Sequence, residues 1–201
     1  MKKGEYMYTI NEQDGWYYLK KNGRQLTSLG GNKVRTMFKD LAERLVVDLE
    51  KYGESPSSPV SLVAFHYSML DFFVDGNRED MERQIIIGFD RGWDWTLTCP
   101  SGNPDLMMEW MSLFGRGETQ IENGIAWVKT LTKMQLCAVT VIGAYFESVN
   151  IPYLVATLIS AKELKKYVQQ IQRFQIWVSV EDGTKALENF LFYFNVDENP
   201  D

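Results

Sequence analysis

"NGRQLTSLGGNKVRTMFKDLAERLVVDLEKYG", residues 22–53, contains the change of periodicity that decides the fold. Asn22-Gly23 is a two-residue turn of the kind that tolerates positive φ and joins antiparallel strands. Ahead of it, "EYMYTI" (5–10) and "WYYLK" (16–20) are aromatic-rich runs separated by "NEQDG". Behind it, "RQLTSL" (24–29) reads as a third strand, and Gly30-Gly31 closes the meander. From Thr36 the period becomes helical. Met37, Leu41, Leu45, Leu49 and Tyr52 recur on one face, while Asp40, Glu43, Arg44, Asp48 and Lys51 fall mostly off it. The expected class is α+β: a small N-terminal antiparallel β domain at 1–31, then a larger α-helical domain at 32–201.

The helical part continues with Ser58 as N-cap and Pro59 in the first turn of a segment, "VSLVAFHYSMLDFFV" (60–74), that is apolar on nearly every side. Such a helix belongs at the centre. Asn77 caps a short helix whose first turn holds Glu79 and Asp80. Residues 93–99 alternate strictly. Trp93, Trp95, Leu97 and Cys99 lie on one side and Asp94, Thr96 and Thr98 on the other, the pattern of a half-buried extended segment. Asn103-Pro104-Asp105 then starts a helix with Leu106, Trp110, Leu113 and Phe114 facing inward. Residues 115–131 show no clear period. A buried helix is expected over Leu136 to Val149. A long one should run from Asn150 to about Trp177 on a stripe of Leu154, Leu158, Leu164, Ile171 and Phe174. Thr184 reads as the cap of the last helix, which carries Leu187, Phe190, Leu191 and Phe194.

Composition narrows the chemistry. A net charge of −6 and no basic stripe argue against nucleic-acid binding. Two cysteines and one histidine are too few for a disulfide framework or a zinc site. The start of the chain has two lysines with no apolar run behind them, and the least charged run, 134–160, is divided by Glu147, Asn150 and Pro152. The expectation is a cytoplasmic protein with no membrane insertion. His66 sits mid-helix in the most apolar stretch and reads as a packed histidine. Cys99 could be a nucleophile near a helix N-terminus, but its place on the tryptophan face makes it a small hydrophobe instead. Glu79/Asp80 and Glu181/Asp182 are acids at helix starts or in loops. No catalytic residue, metal or cofactor is expected.

In order and spacing, the chain resembles the "ATP twelve" chaperones, which assist assembly of the ATP synthase α subunit. The resemblance rests on "NGRQLTSL" (22–29) through Gly23 and Arg24, and on "PVSLVAFHYSMLD" (59–71) through Pro59, Leu62, Ala64 and Asp71. It continues in "TLTCPSGNPDLMMEWMSLFG" (96–115) through Pro104, Leu106, Trp110 and Gly115, and in "WVSVED" (177–182) through Trp177 and Glu181. It implies a small β domain before a helical one, and a protein client. The family's acidic motif ahead of the final tryptophan is missing, since Gln169, Gln170 and Arg173 stand there.

Three functions are in play. The first is a non-enzymatic binding protein that holds an unassembled subunit. Its candidate partner residues are Trp93, Trp95, Trp110 and Trp177, with Glu109 and Glu181 as a polar rim. The second is a diverged member of the fold with an unrelated protein partner. The third, a Cys99-dependent enzyme, is the least favoured.

Overall fold

The computed structural model describes residues 7–55, 58–73, 78–89, 94–97, 103–115, 117–174 and 178–196. Two tight turns build the sheet. β1 (Tyr8–Gln13) pairs antiparallel with β2 (Trp16–Lys21) across Asp14 and Gly15, and β2 turns at Asn22 and Gly23 into β3 (Arg24–Gln25). All four turn residues hold positive φ, the twist that two-residue hairpins need. The chain then folds back through a Thr27–Lys33 bridge into β4 (Arg35–Thr36), which pairs with β2 at Tyr17 and Tyr18. The last strand therefore lies beyond Gly31, where the meander was expected to close. Gly30 and Gly31 sit at the tip of this return.

Helix α1 (Lys39–Tyr52) follows the expected stripe, with Leu41, Leu45 and Leu49 buried. Met37 precedes the helix and is exposed. α1 packs on β1, β2 and β4, so Tyr8, Leu19, Leu26 and Val34 of the sheet region join the same hydrophobic cluster as the helices. α2 (Leu62–Ser68) is the expected buried helix, but Ser61 caps it rather than Ser58, accepting from the Val63 amide at 3.2 Å. The buried Asp48 carboxylate of α1 accepts the Leu62 amide at 2.5 Å, a second anchor for this helix start.

α2 runs on into a π-helical turn, Met69–Phe73, that leaves Phe72 61% exposed and buries Phe73. The turn aims Asp71 at the sheet's return loop. Its carboxylate accepts from the Ser28 hydroxyl, the Gly30 amide at 2.8 Å and the Asn32 side chain at 3.0 Å. Burial alone would raise its pKa, but these donors hold it below the usual carboxylate value. A Cβ at residue 30 would meet Asp71 Cγ at 2.7 Å, so only glycine permits this approach.

The remaining helices are α3 (Arg78–Gly88), α4 (Pro104–Phe114), α5 (Gly117–Val128), α6 (Lys133–Phe146), α7 (Asn150–Thr157), α8 (Leu164–Ile171) and α9 (Val180–Asn195). α6 is central. It opens on a Thr132/Gln135 capping box and packs on α9, α7, α2 and α3. The single long helix expected from Asn150 is broken. The Leu158 and Ile159 amides both bond to Leu154 O, and a 3-10 turn at Ala161–Glu163 restarts the chain. Ser160 donates to Glu163 Oε2 at 2.8 Å, a local bond that competes with helix continuation. Leu158, placed on the buried stripe by periodicity, is 68% exposed. Ser179, not Thr184, caps α9 by accepting the Asp182 amide at 3.0 Å. No helix among the described residues is long and apolar enough to cross a membrane.

His66 joins the sheet to the last helix. Its Nε2 lies 3.0 Å from Arg35 O, which can only accept, so Nε2 carries the proton and Nδ1 accepts from the Tyr193 hydroxyl at 3.2 Å. Burial pushes the imidazole down to about 4 from the usual 6.5, with the Arg35 bond opposing. Below pH 6.5 the unfolded chain takes up a proton that the folded chain refuses, so stability falls with acidification through that window. Urea unfolding between pH 7 and 5 should lose up to about 1.4 kcal/mol per pH unit from this group. His66→Gln should flatten that slope. An equally steep slope in the variant would assign the pH response elsewhere.

Candidate functional site

The segment expected to be extended at 93–99 takes another form. Residues 93, 98 and 99 lie outside the described residues, as does the reading of Cys99. Trp95–Leu97 form a 3-10 turn closed by the Leu97 amide on Asp94 O at 3.1 Å. The polarity of the alternation is also reversed. Asp94 and Thr96 are each 2% exposed, whereas Trp95 and Leu97 are half-buried.

The reason is a buried polar network. Asp94 Oδ1 accepts from the Thr96 amide at 2.9 Å and the Thr96 hydroxyl at 2.7 Å. Asp94 Oδ2 accepts from the Ser148 hydroxyl and the Asn150 amide, each at 3.0 Å. Asn150, fully buried, donates from Nδ2 to Thr96 Oγ1 at 3.1 Å and to Phe114 O at 3.0 Å, and its Oδ1 accepts from Gln120 at 2.9 Å. Four donors on one carboxylate offset its burial, and the network ties the turn, α4, α5 and the α6–α7 junction together. The sequence carried a partial signal in Asp94-x-Thr96 and Ser148-x-Asn150, both spacings suited to side-chain-to-backbone turns.

Against this network lies an aromatic cluster. Asn103 caps α4, accepting from the Asp105 and Leu106 amides, and Pro104 fits the first turn. The helix then turns Trp110 and Phe114 inward. Trp110 is 7% exposed, donates from Nε1 to Thr96 O at 3.1 Å, and meets Phe174 edge-on at 4.9 Å. Trp95 donates from Nε1 to Phe146 O at 2.8 Å and meets Trp110 edge-on at 5.6 Å. Both indole N–H groups are satisfied within the chain. Trp110 is thus a core residue, while Trp95 keeps a partly open face.

Glu109, next to Trp110, pairs with Arg173 just beyond α8. Glu181 is exposed in the first turn of α9 and takes no part in the cluster's ring contacts. Trp93 and Trp177 fall outside the described residues. The structure therefore brings together Trp95, Glu109 and Trp110. It adds what the sequence reading missed, a ridge of Met107, Met108 and Met111 on the solvent side of α4. Behind α4, a cleft bordered by α8 includes Glu109, Leu113, Ile159, Glu163, Lys166 and Tyr167. Burial, and secondarily the Asp94 charge, push the Tyr167 phenol well above its usual pKa. The Cys137 thiol is raised by burial alone and lies 3.4 Å from Phe65 O, the setting of a packed, unreactive side chain.

No family model matches the sequence, and no curated protein matches it. Among solved structures, the crystal structure of Atu1473, a chaperone candidate from Agrobacterium tumefaciens, matches with a TM-score of 0.67 at 12% identity. The match covers 92% of this chain and 82% of that one. The likeness is one of fold. The α+β order read from the sequence is the one the structure has, four short strands followed by helices.

If the Asp94 network holds the site, Asp94→Ala should cost about 2–4 kcal/mol by leaving several buried donors unpaired. Asp94→Asn should cost less while still disturbing the Ser148 and Asn150 bonds. Chemical denaturation followed by tryptophan fluorescence measures both. A loss below about 1 kcal/mol for the alanine variant would show that the network is not a main support.

Proposed function

We propose that this chain is a non-enzymatic, chaperone-like cytoplasmic protein that holds an unassembled protein client on the solvent face of α4. The observation that carries the reading is the fold shared with a chaperone candidate over nearly the whole chain. The shape of α4 supports it. Trp110 and Phe114 anchor the helix, and Met107, Met108 and Met111 face solvent, with Met108 63% exposed. Methionine's unbranched, polarizable side chain adapts to differing surfaces, which suits recognition of a partner that is not yet folded or assembled. Glu109 adjoins Met108 in the same helix, and the half-buried Trp95 and the exposed Glu181 are further candidate contacts.

The finer reading takes the client to be an ATP synthase α subunit, by the resemblance in sequence order. A partner unrelated to ATP synthase is favoured by one feature. Gln169, Gln170 and Arg173 replace the acidic motif of that family, and Arg173 is paired with Glu109. Native pull-down with mass spectrometry separates the two clients.

The client-holding role itself is tested by diluting denatured α subunit into buffer with this protein and following light scattering. Equimolar protein should suppress aggregation. Met108→Glu/Met111→Glu should weaken client binding about tenfold while leaving the melting temperature unchanged. Lack of suppression together with recovery of no partner would overturn the proposal. Full protection by the double variant would move the client off α4.

A further inference from the structure

We propose that the outer face of the sheet is a docking surface for an acidic, extended segment of a partner protein, one that presents carboxylates on alternate residues. The assignment is separate from the α4 surface and does not rest on the client-holding reading. Tyr17 and Leu19 pack toward the core, so Trp16, Tyr18 and Lys20 occupy the opposite face of β2. The register places Gln13, Asn11 and Thr9 of β1 directly across from those three. On the other side of β2, Arg35 lies across from Tyr18, and Lys33 precedes Arg35 with the buried Val34 between them. None of these positions is acidic. The one acid of β1, Glu12, lies across from Tyr17 and belongs to the inner side.

Lys20, Lys33 and Arg35 form no ion pair among the described residues. They stand together in a chain of net charge −6, so the face is locally cationic on an acidic molecule. The acids that border the sheet have donors of their own. Asp14, at the first turn, accepts from Gln13, and Asp71, at the return loop, accepts from Ser28, Gly30 and Asn32. Arg35 is held in place without a carboxylate. Its guanidinium centre lies 4.2 Å from the Trp16 ring centroid, and Nη1 donates to the Tyr18 hydroxyl at 3.2 Å. Stacking uses the flat of the guanidinium and leaves the donors around its edge, which a carboxylate takes in pairs.

Spacing describes the guest more closely. Lys20 follows Tyr18 by two residues and so stands on the diagonal from Arg35, about 7–8 Å away. Alternate side chains of an extended peptide recur at about 6.7 Å. Glutamates at i and i+2 can therefore meet Arg35 and Lys20 together. A single-stranded nucleic acid suits the face less well. The guanidinium already covers a face of the Trp16 ring, which denies that face to a base, and the cations are few for a chain of phosphates.

The test is an NMR titration of the ¹⁵N-labelled full chain with a short peptide in which glutamate alternates with threonine. Saturable shifts should appear at the Trp16 indole N–H and at the Tyr18, Lys20 and Lys33 amides, with a Kd on the order of 0.1–1 mM. The glutamine counterpart, and Lys20→Gln/Lys33→Gln titrated with the glutamate peptide, should bind about tenfold more weakly. Arg35→Lys, which keeps the charge and loses the planar fork, should bind about threefold more weakly. A peptide of the same composition with its glutamates adjacent should also bind more weakly. No saturable shift, equal response to the glutamine or adjacent-glutamate peptide, or undiminished binding in the lysine double variant overturns the proposal. Tighter binding of an oligothymidylate at the same residues overturns it too. Met108→Glu/Met111→Glu should bind the peptide as wild type does, and loss there would move the acidic segment to α4. Failure of the wild-type protein to protect a client, with peptide binding intact, removes the client-holding role and leaves the sheet surface standing.

Discussion

A buried carboxylate organises the half of the molecule that carries the candidate site. Asp94 lies in a short irregular turn where a folded chain ordinarily tolerates little polar burial, and it is accommodated because four donors converge on it. Two of these come from the α6–α7 junction. The same junction supplies Asn150, whose amide reaches the C-terminal end of α4 and the side chain of Gln120 in α5. Polar bonds thus decide where α4 sits, and apolar contacts then fill the space around Trp110. The order matters for function. With its inner face fixed from behind, α4 can present methionines to solvent without losing its place.

The sheet is held to the helices by similar means. Asp71 grips the return loop of the sheet through three donors, and His66 bridges Arg35 of β4 to Tyr193 of α9. Between these two bonds the inner face of the sheet packs on α1, and a continuous hydrophobic cluster runs from Tyr8 to Phe194. The π-helical turn that presents Asp71 also turns Phe72 outward. Its position reflects the cost of an inserted residue in a helix that has a polar docking task.

The legible parts of the sequence were those whose determinants are local. Glycine turns set the hairpins, the Leu41–Leu45–Leu49 repeat set α1, and Asn103-Pro104-Asp105 marked the start of α4. The misread parts depend on distant partners or on a competing cap. Alternation around Trp95 suggested an extended segment with Asp94 toward water, but Ser148 and Asn150, 54 and 56 residues away, draw that carboxylate inside. Nothing in the local pattern reveals those donors. The long helix expected from Asn150 ignored Ser160 and Glu163, whose local bond opens a new turn. At the candidate site, Glu109 and Trp110 were chosen by type and position. Trp110 also reads as an inward-facing residue of α4, and its burial against Phe174 and Thr96 bears that reading out.

The link between His66 and Tyr193 also bears on how the chain is made. The two residues are 127 positions apart, and Phe65 stacks on the same tyrosine ring. Asn189 of α9 likewise caps the carbonyls of Pro59 and Val60 ahead of α2. During synthesis at 5–20 residues per second, α2 therefore leaves the ribosome about 6 to 25 s before its closing partner. Through that interval the part of α2 that meets α9, Phe65 included, stays uncovered. A protein proposed to shelter an unassembled subunit thus passes through a stage, during its own translation, in which it needs shelter of the same kind.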